Sequence, residues 1–336
     1  MKLQILIPQY KETEKDIKPL LDSISMQQNV DFGEIGAVIC NDGSDSILSD
    51  DFLKGYPFLI DYWKEPHRGV SGTRNACLSH SDAEYVIFCD ADDMFYNVCG
   101  LYLLFMHIEA GFDALNSSFL EEARENDTNR PVYVTHNNDA TFVHGKVYRR
   151  QFLIDNDLWW NEKLTIHEDS YFNCIALNTA KDVKYCDTPF YLWRWREDSV
   201  CRKDSDYRYS TYINLIDSND AMCEELVRRG QEDNASYFVL SMIFDTYYTM
   251  NKPEWKDNKY RDITEARMGK YFIKWEDYWN EDKRKMTASS ISREKLIKEG
   301  MDLESITVFD WLKQCKEKIC QQEDRESAGV LRRSHT

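Results

Sequence analysis

The 336-residue chain contains no run of about 18 consecutive apolar residues, the minimum for a helix that crosses a bilayer. Its first residues lead straight into Leu3-Gln4-Ile5-Leu6-Ile7, without the charged-then-apolar layout of a signal peptide, so the expectation is a cytoplasmic protein. Zinc-type or redox-type CxxC pairs are lacking as well. The ten cysteines are scattered, and Cys40 and Cys89 fall inside apolar, strand-like runs, as reduced structural thiols do. Basic charge is in short supply: 42 Lys and Arg stand against 59 Asp and Glu, a formal charge of -17. That balance disfavours DNA or RNA as the main partner, because phosphate backbones are held by clustered cations. No internal repeat is present.

What is present is enough for a large core: 42% apolar residues, with Tyr 20, Phe 16 and Trp 9. The length exceeds one ordinary core and implies a catalytic domain with an appended module. In the first half, short β-rich runs (Leu3 to Ile7, Ile35 to Cys40, Phe58 to Tyr62, Tyr85 to Cys89) alternate with helical stretches, the pattern of a parallel sheet covered by helices. Between the strands, Lys15 to Gln27 places Ile17, Leu20, Leu21 and Ile24 on one helical face. Gly72 to Ser79 and Val98 to His107 read as two further helices. From about Asp204 the chain turns helical, with amphipathic stretches near Tyr212 to Arg229, Ser236 to Met250 and Leu303 to Cys320.

Polar clusters follow the strand ends, where ligands bind in open α/β sheets. Asp90-Ala91-Asp92 offers a pair of hard oxygen donors suited to Mg²⁺ or Mn²⁺ on a diphosphate; its place after an apolar strand favours that reading over a solvated acidic turn. Asn41-Asp42-Gly43-Ser44 presents a carboxylate that either accepts a nucleobase N–H or only stabilises its own turn. Arg68 to Asn75 brings glycines, hydroxyls and guanidinium groups to a helix start, a setting for phosphate or uracil and equally for a plain helix cap.

Taken in order, these clusters resemble the family 2 glycosyltransferases, with their Pro-x-Tyr opening (Pro8, Tyr10), Asp-Asp-Gly-Ser loop, Gly-Val-Ser-x-x-Arg-Asn segment and Asp-x-Asp-Asp. Two departures are Asn41 where the family usually has Asp and Lys11 where Asn commonly follows the tyrosine. The resemblance implies a GT-A fold, a mixed, mainly parallel α/β sheet between helices. It also implies an inverting, metal-dependent transfer from a nucleotide diphosphate sugar, with uridine diphosphate as leaving group. On this reading Pro8, Tyr10, Asp42 and Arg74 bind the nucleotide, Asp42 and Arg74 selecting the base, while Asp92 with Asp90 holds Mn²⁺ or Mg²⁺. Further along, His144 to Arg150 looks like the acceptor-side segment, and Glu168-Asp169 like the catalytic pair, with Asp169 as general base. From the residues alone, that pair is equally an acidic helix N-terminus. Tyr191 to Ser199 resembles the segment that closes over the diphosphate, where Arg194 or Arg196 neutralises the departing nucleotide ahead of Ser199. If the segment is a strand, Trp193 and Trp195 share one face and the arginines the other, so one pair alone is functional.

The expected layout is a catalytic domain over 1–203, divided into a nucleotide-sugar half (1–100) and an acceptor half (101–203). A helical module (204–322) and a disordered tail (323–336) follow. Trp255, Trp275, Trp279 and Trp311 mark the helical module as a packed body that binds acceptor or forms a homo-oligomer. The acceptor hydroxyl belongs to a glycan or polymer, with a modified DNA base weakened by the bulk acidity. One rival, a nucleotidyltransferase, needs a basic glycine-rich loop that Pro8 to Thr13 lacks; another, a non-catalytic nucleotide-sugar-binding protein, sits poorly with intact Asp90, Asp92 and Asp169.

Overall fold

The structure, a computed structural model, describes residues 1–125, 127–196, 205–278, 308 and 310–319. The chain divides into two compact units, Met1–Arg202 and Lys203–Thr336.

In the first unit, strands and helices alternate: β1 (Leu3–Gln9), α1 (Glu14–Ser25), β2 (Ile35–Asp42), α2 (Asp50–Leu53), β3 (Leu59–Glu65), α3 (Gly69–His80) and β4 (Tyr85–Phe88). There follow β5 (Met94–Phe95), α4 (Gly100–Ala110), β6 (Ala114–Arg124), β7 (Pro131–His136), β8 (Lys146–Arg149), α5 (Arg150–Asp155), α6 (Glu168–Thr179) and β9 (Val183–Trp193). They form one nine-stranded sheet in the order β3-β2-β1-β4-β8-β6-β9-β5, with β7 paired to β6. The stretch from β3 to β4 is parallel throughout; beyond it β8 runs antiparallel to both β4 and β6, and β9 returns parallel to β6. The strands of the parallel stretch all fall within residues 1–100, whereas the mixed part draws on β5 and on strands after residue 100.

Central and edge strands differ as burial requires. Every residue of β2 is buried, as expected of a strand covered on both faces. At the end of the sheet, β3 carries Asp61, Lys64 and Glu65, charges that discourage pairing with another chain. Helix α1 buries Ile17, Leu20, Leu21 and Ile24, the face read from the sequence. Its first turn is fixed by the Thr13 N–H, which donates to Asp16 Oδ2 at 2.9 Å.

The strands outlast their apolar runs at the carboxyl ends. Pairing of β1 with β2 continues through Pro8 with Cys40 and Gln9 with Asn41, so Asp42 ends a strand and does not sit in a free turn. Helix α3 starts at Gly69, earlier than the Gly72 expected, because the Asp42 carboxylate accepts the N–H groups of Arg68 (2.7 Å) and Gly69 (3.0 Å).

The second unit contains α7 (Ser205–Ser210), α8 (Tyr212–Arg228), α9 (Glu232–Met250), α10 (Arg261–Lys274) and a helical run at 310–319. Ile216, Met222, Leu226, Val239, Ile243, Met268 and Leu312 are buried in it. Trp255, Trp275 and Trp311 are buried too, and the last two donate to Asp220 (2.7 Å) and Glu265 (3.2 Å). Gly269 allows the 310–319 helix to approach α10, since a Cβ there would lie 2.5 Å from the Cys315 carbonyl oxygen. Trp279 and the segment 323–336 lie outside the described residues, as does Ser199. Among the described residues, no helix is long and apolar enough to cross a membrane.

Candidate active site

At the carboxyl end of β4 the acidic loop is arranged around Asp93. Its carboxylate is buried and accepts the Tyr191 hydroxyl (2.6 Å) and the Arg194 N–H (2.9 Å). Burial, then the neighbouring charges of Asp90 and Asp92, push its carboxyl well above the usual range. Asp92 points elsewhere: its Oδ2 accepts from Arg196 Nη1 at 3.0 Å, while Arg194 Nη1 donates to the Asp92 carbonyl at 3.1 Å. Both arginines thus reach the same loop. The alternation argument for a single functional pair does not hold, because β9 ends at Trp193. Trp193 packs on His144 and Phe142, and Trp195 lies against Arg124.

Arg74 is the centre of the site. It is buried, and its guanidinium donates to Asp90 (2.8 Å), Glu168 (3.0 Å) and Asp169 (2.7 Å). Trp160 covers its face, with the guanidinium carbon 4.4 Å from the ring centroid, and Phe172 stacks on the far side of that ring at 4.2 Å. Next along α3, the Asn75 amide donates to the Trp160 carbonyl (3.0 Å) and accepts its N–H (2.9 Å), so one turn of α3 fixes both the cation and its cover. Burial raises the Asp90 carboxyl, but Arg74 outweighs it and holds Asp90 below the usual range. Glu168 is pushed up to about 8, by burial first and the Asp169 charge second. Asp169 keeps a second tie, accepting the Val143 N–H at 3.1 Å.

Arg74 is committed to the carboxylates of Asp90, after β4, and of Glu168 and Asp169, at the start of α6. Asp42 is joined by His67, whose Nδ1 lies 2.8 Å from Oδ2, and the His67 ring stacks on exposed Tyr10 at 4.9 Å. Pro8 lies just below, half-buried in β1. Lys11 has φ +70°, a left-handed conformation that Asn adopts more readily, which accounts for the preference for Asn at that place in the motif.

A cluster that could hold a metal ion includes Asp90 of the expected Asp90 and Asp92 pair. Among the described residues, Asp90, Asp93 and His144 bring ligand atoms within 4.8 Å of one another. His144 is buried, its Nδ1 has no hydrogen-bond partner among the described residues and stands 3.7 Å from Asp93 Oδ2, and burial pushes its pKa down to about 4, leaving a neutral imidazole. Neutral imidazole beside carboxylates suits a divalent cation. Asp93 was visible as the last residue of its motif; His144 was read in the acceptor-side segment, and its approach to Asp93 is not in the local sequence. His67 and Trp160 carried no motif signal, and Lys146 was read only as part of the acceptor-side segment.

Residues 4–172 match the family described as "Glycosyl transferase family 2". Among curated proteins, the chain is 22% identical over 272 residues to the poly(ribitol-phosphate) beta-N-acetylglucosaminyltransferase TarS of Staphylococcus aureus, covering 75% of this chain and 45% of that protein. It is 23% identical over 219 residues to EpsJ of Bacillus subtilis, an uncharacterised glycosyltransferase, covering 59% of this chain and 62% of that one. The chain thus spans less than half the length of TarS. Among solved structures, TarS 1–349 superposes with a TM-score of 0.62 at 18% identity, covering 90% of this chain and 93% of that one. The same TarS segment in complex with UDP-GlcNAc gives 0.60 at 18% identity, with the same coverage. The shared fold is that of TarS.

Proposed function

The chain belongs to glycosyl transferase family 2, and from that premise we propose that it is an inverting transferase moving a sugar from a UDP-sugar to a hydroxyl of a glycan or cell-surface polymer in the cytoplasm. The observation that carries this reading is the single guanidinium of Arg74, which ties Asp90 of the donor-side loop to Asp169 of the acceptor side. An inverting displacement needs those two functions on either side of one anomeric carbon. TarS supplies the donor and acceptor classes: its name gives a poly(ribitol-phosphate) acceptor, and it has been solved with UDP-GlcNAc.

Asp169 takes the proton of the attacking hydroxyl at its carboxylate, one oxygen held by Arg74 and the other by the Val143 N–H. Glu168, largely neutral below a pKa of about 8, does not compete for that proton. Tyr10, His67 and Asp42 form the platform for the base, and Arg194 and Arg196 supply positive charge at the loop where the diphosphate leaves. The donors present fit a divalent ion: Asp90, Asp93 and His144 would hold Mn²⁺ or Mg²⁺, which would neutralise charge on the departing diphosphate. The second unit is the acceptor-holding or oligomerising module. Incubation with UDP-N-acetylglucosamine and Mn²⁺ should release UDP, slowly with water and faster with a polyol-phosphate polymer. No release from any UDP-sugar, with folded protein, would overturn the reading.

A further inference from the structure

Helix α6 opens on the proposed base and carries a buried amide one turn later. Asn173 lies four residues after Asp169, on the same side of the helix, among the buried side chains of Phe172, Cys174, Ile175 and Ala176. An amide taken out of water is costly unless both of its ends find partners. Both do. The Asn173 Nδ2 donates to the Thr141 carbonyl at 2.9 Å, and its Oδ1 accepts the hydroxyl of Tyr148, a buried residue of β8, at 2.9 Å.

Thr141 belongs to the loop between β7 and β8. At the start of that loop, Asp139 accepts the N–H groups of Thr141 (2.7 Å) and Phe142 (2.9 Å) and the Thr141 hydroxyl (2.8 Å). Its end is shaped by Gly145, at φ +69°, where a Cβ would lie 2.5 Å from Ser117 Oγ. Between these points the loop is bonded to α6 through two backbone groups. The Val143 N–H donates to Asp169 Oδ2 at 3.1 Å, and two residues earlier the Thr141 carbonyl accepts from Asn173. The second contact holds the loop against the helix where the first is made.

The two oxygens of Asp169 are oriented by different neighbours. Arg74 takes Oδ1 and is shared with Asp90 and Glu168, whereas Oδ2 is met by a backbone N–H, whose place is set by the course of the loop. The direction of the carboxylate lone pairs, and so the point at which an acceptor hydroxyl can give up its proton, depends on where that N–H stands.

We propose that Asn173 is a positioning residue for Asp169: by holding the Thr141 carbonyl to α6, it keeps the Val143 N–H on the second oxygen of the base. This rests on the reading of Asp169 as the base. Asn173 is buried and acts through the loop alone.

The test uses the full chain and two measurements, UDP release from UDP-N-acetylglucosamine with Mn²⁺ and amide hydrogen exchange at Val143. Asn173→Leu is expected to lower kcat about 10- to 100-fold, the cost of displacing a catalytic group by about 1 Å, while UDP affinity stays within about twofold. Exchange at Val143 should quicken by about 10-fold or more, with the amides of α6 exchanging as before. A merely structural role would loosen the helix as a whole, so that Val143 and α6 quicken together. Exchange at Val143 that is unchanged, or that rises only together with α6, overturns the proposal even if kcat falls. Should Asn173→Leu fail to fold, its combination with Tyr148→Phe, which leaves no tyrosine hydroxyl without its partner, is read by the same criteria. Asp169→Asn is run in parallel. If that variant keeps its activity, the reading of the base fails; if it loses activity while Asn173→Leu keeps the wild-type kcat, the present inference alone falls.

Discussion

Arg74 and Trp160 form one stack, the guanidinium carbon 4.4 Å from the ring centroid, and the arginine that the motif presents as a nucleotide contact joins three acidic residues. Removing it leaves three partly buried acids without the cation they share. Arg74→Met should therefore destabilise the protein by about 3–5 kcal/mol, the range for breaking a buried ion pair from one side. Urea unfolding measures it, and a loss below about 1 kcal/mol would show that the acids do not depend on this cation.

Asp169→Asn should abolish sugar transfer while sparing UDP binding, because the amide keeps the shape but takes no proton. A general base contributes ~10²–10⁴-fold, a loss that UDP-release kinetics resolve readily. Near wild-type transfer by this variant would move the base elsewhere, with Glu168 the first replacement.

Binding of UDP should tighten with Mn²⁺, and Asp90→Asn should weaken that metal-dependent part. Calorimetry giving the same UDP affinity in chelator and in Mn²⁺ would count against the ion altogether.

Stability should fall as pH rises through the neutral range. Glu168 is raised from 4.5 to about 8 in the folded protein, so its neutral form is favoured by folding. Its contribution is fully present below about pH 4.5 and is lost as pH climbs towards 8. Glu168→Gln should flatten the decline over that window in thermal melts. An unchanged pH dependence would mean that Glu168 titrates normally.

Much of this was legible in the chain. The strand cores, the face of α1 and the order of polar clusters follow from apolar runs and their periods, which depend only on local sequence. Partners brought together from afar were not legible. Asp42 and Arg74 share a motif neighbourhood, yet Asp42 stabilises the start of α3 while Arg74, one turn later, faces α6. Likewise Asp92 reads as the metal ligand from its spacing, but its orientation is set by Arg196 from beyond β9, and His144 arrives from the residues before β8. Spacing along one strand says nothing of such crossings.

The Asn75 amide meets both the N–H and the carbonyl of Trp160, so that a side chain takes the place a neighbouring strand would fill. The loop bearing Trp160 is thereby tied to α3 as a ladder rung would tie it. Its amide proton should exchange with solvent on the timescale of the sheet, and the cation beneath it is held ready between one turnover and the next.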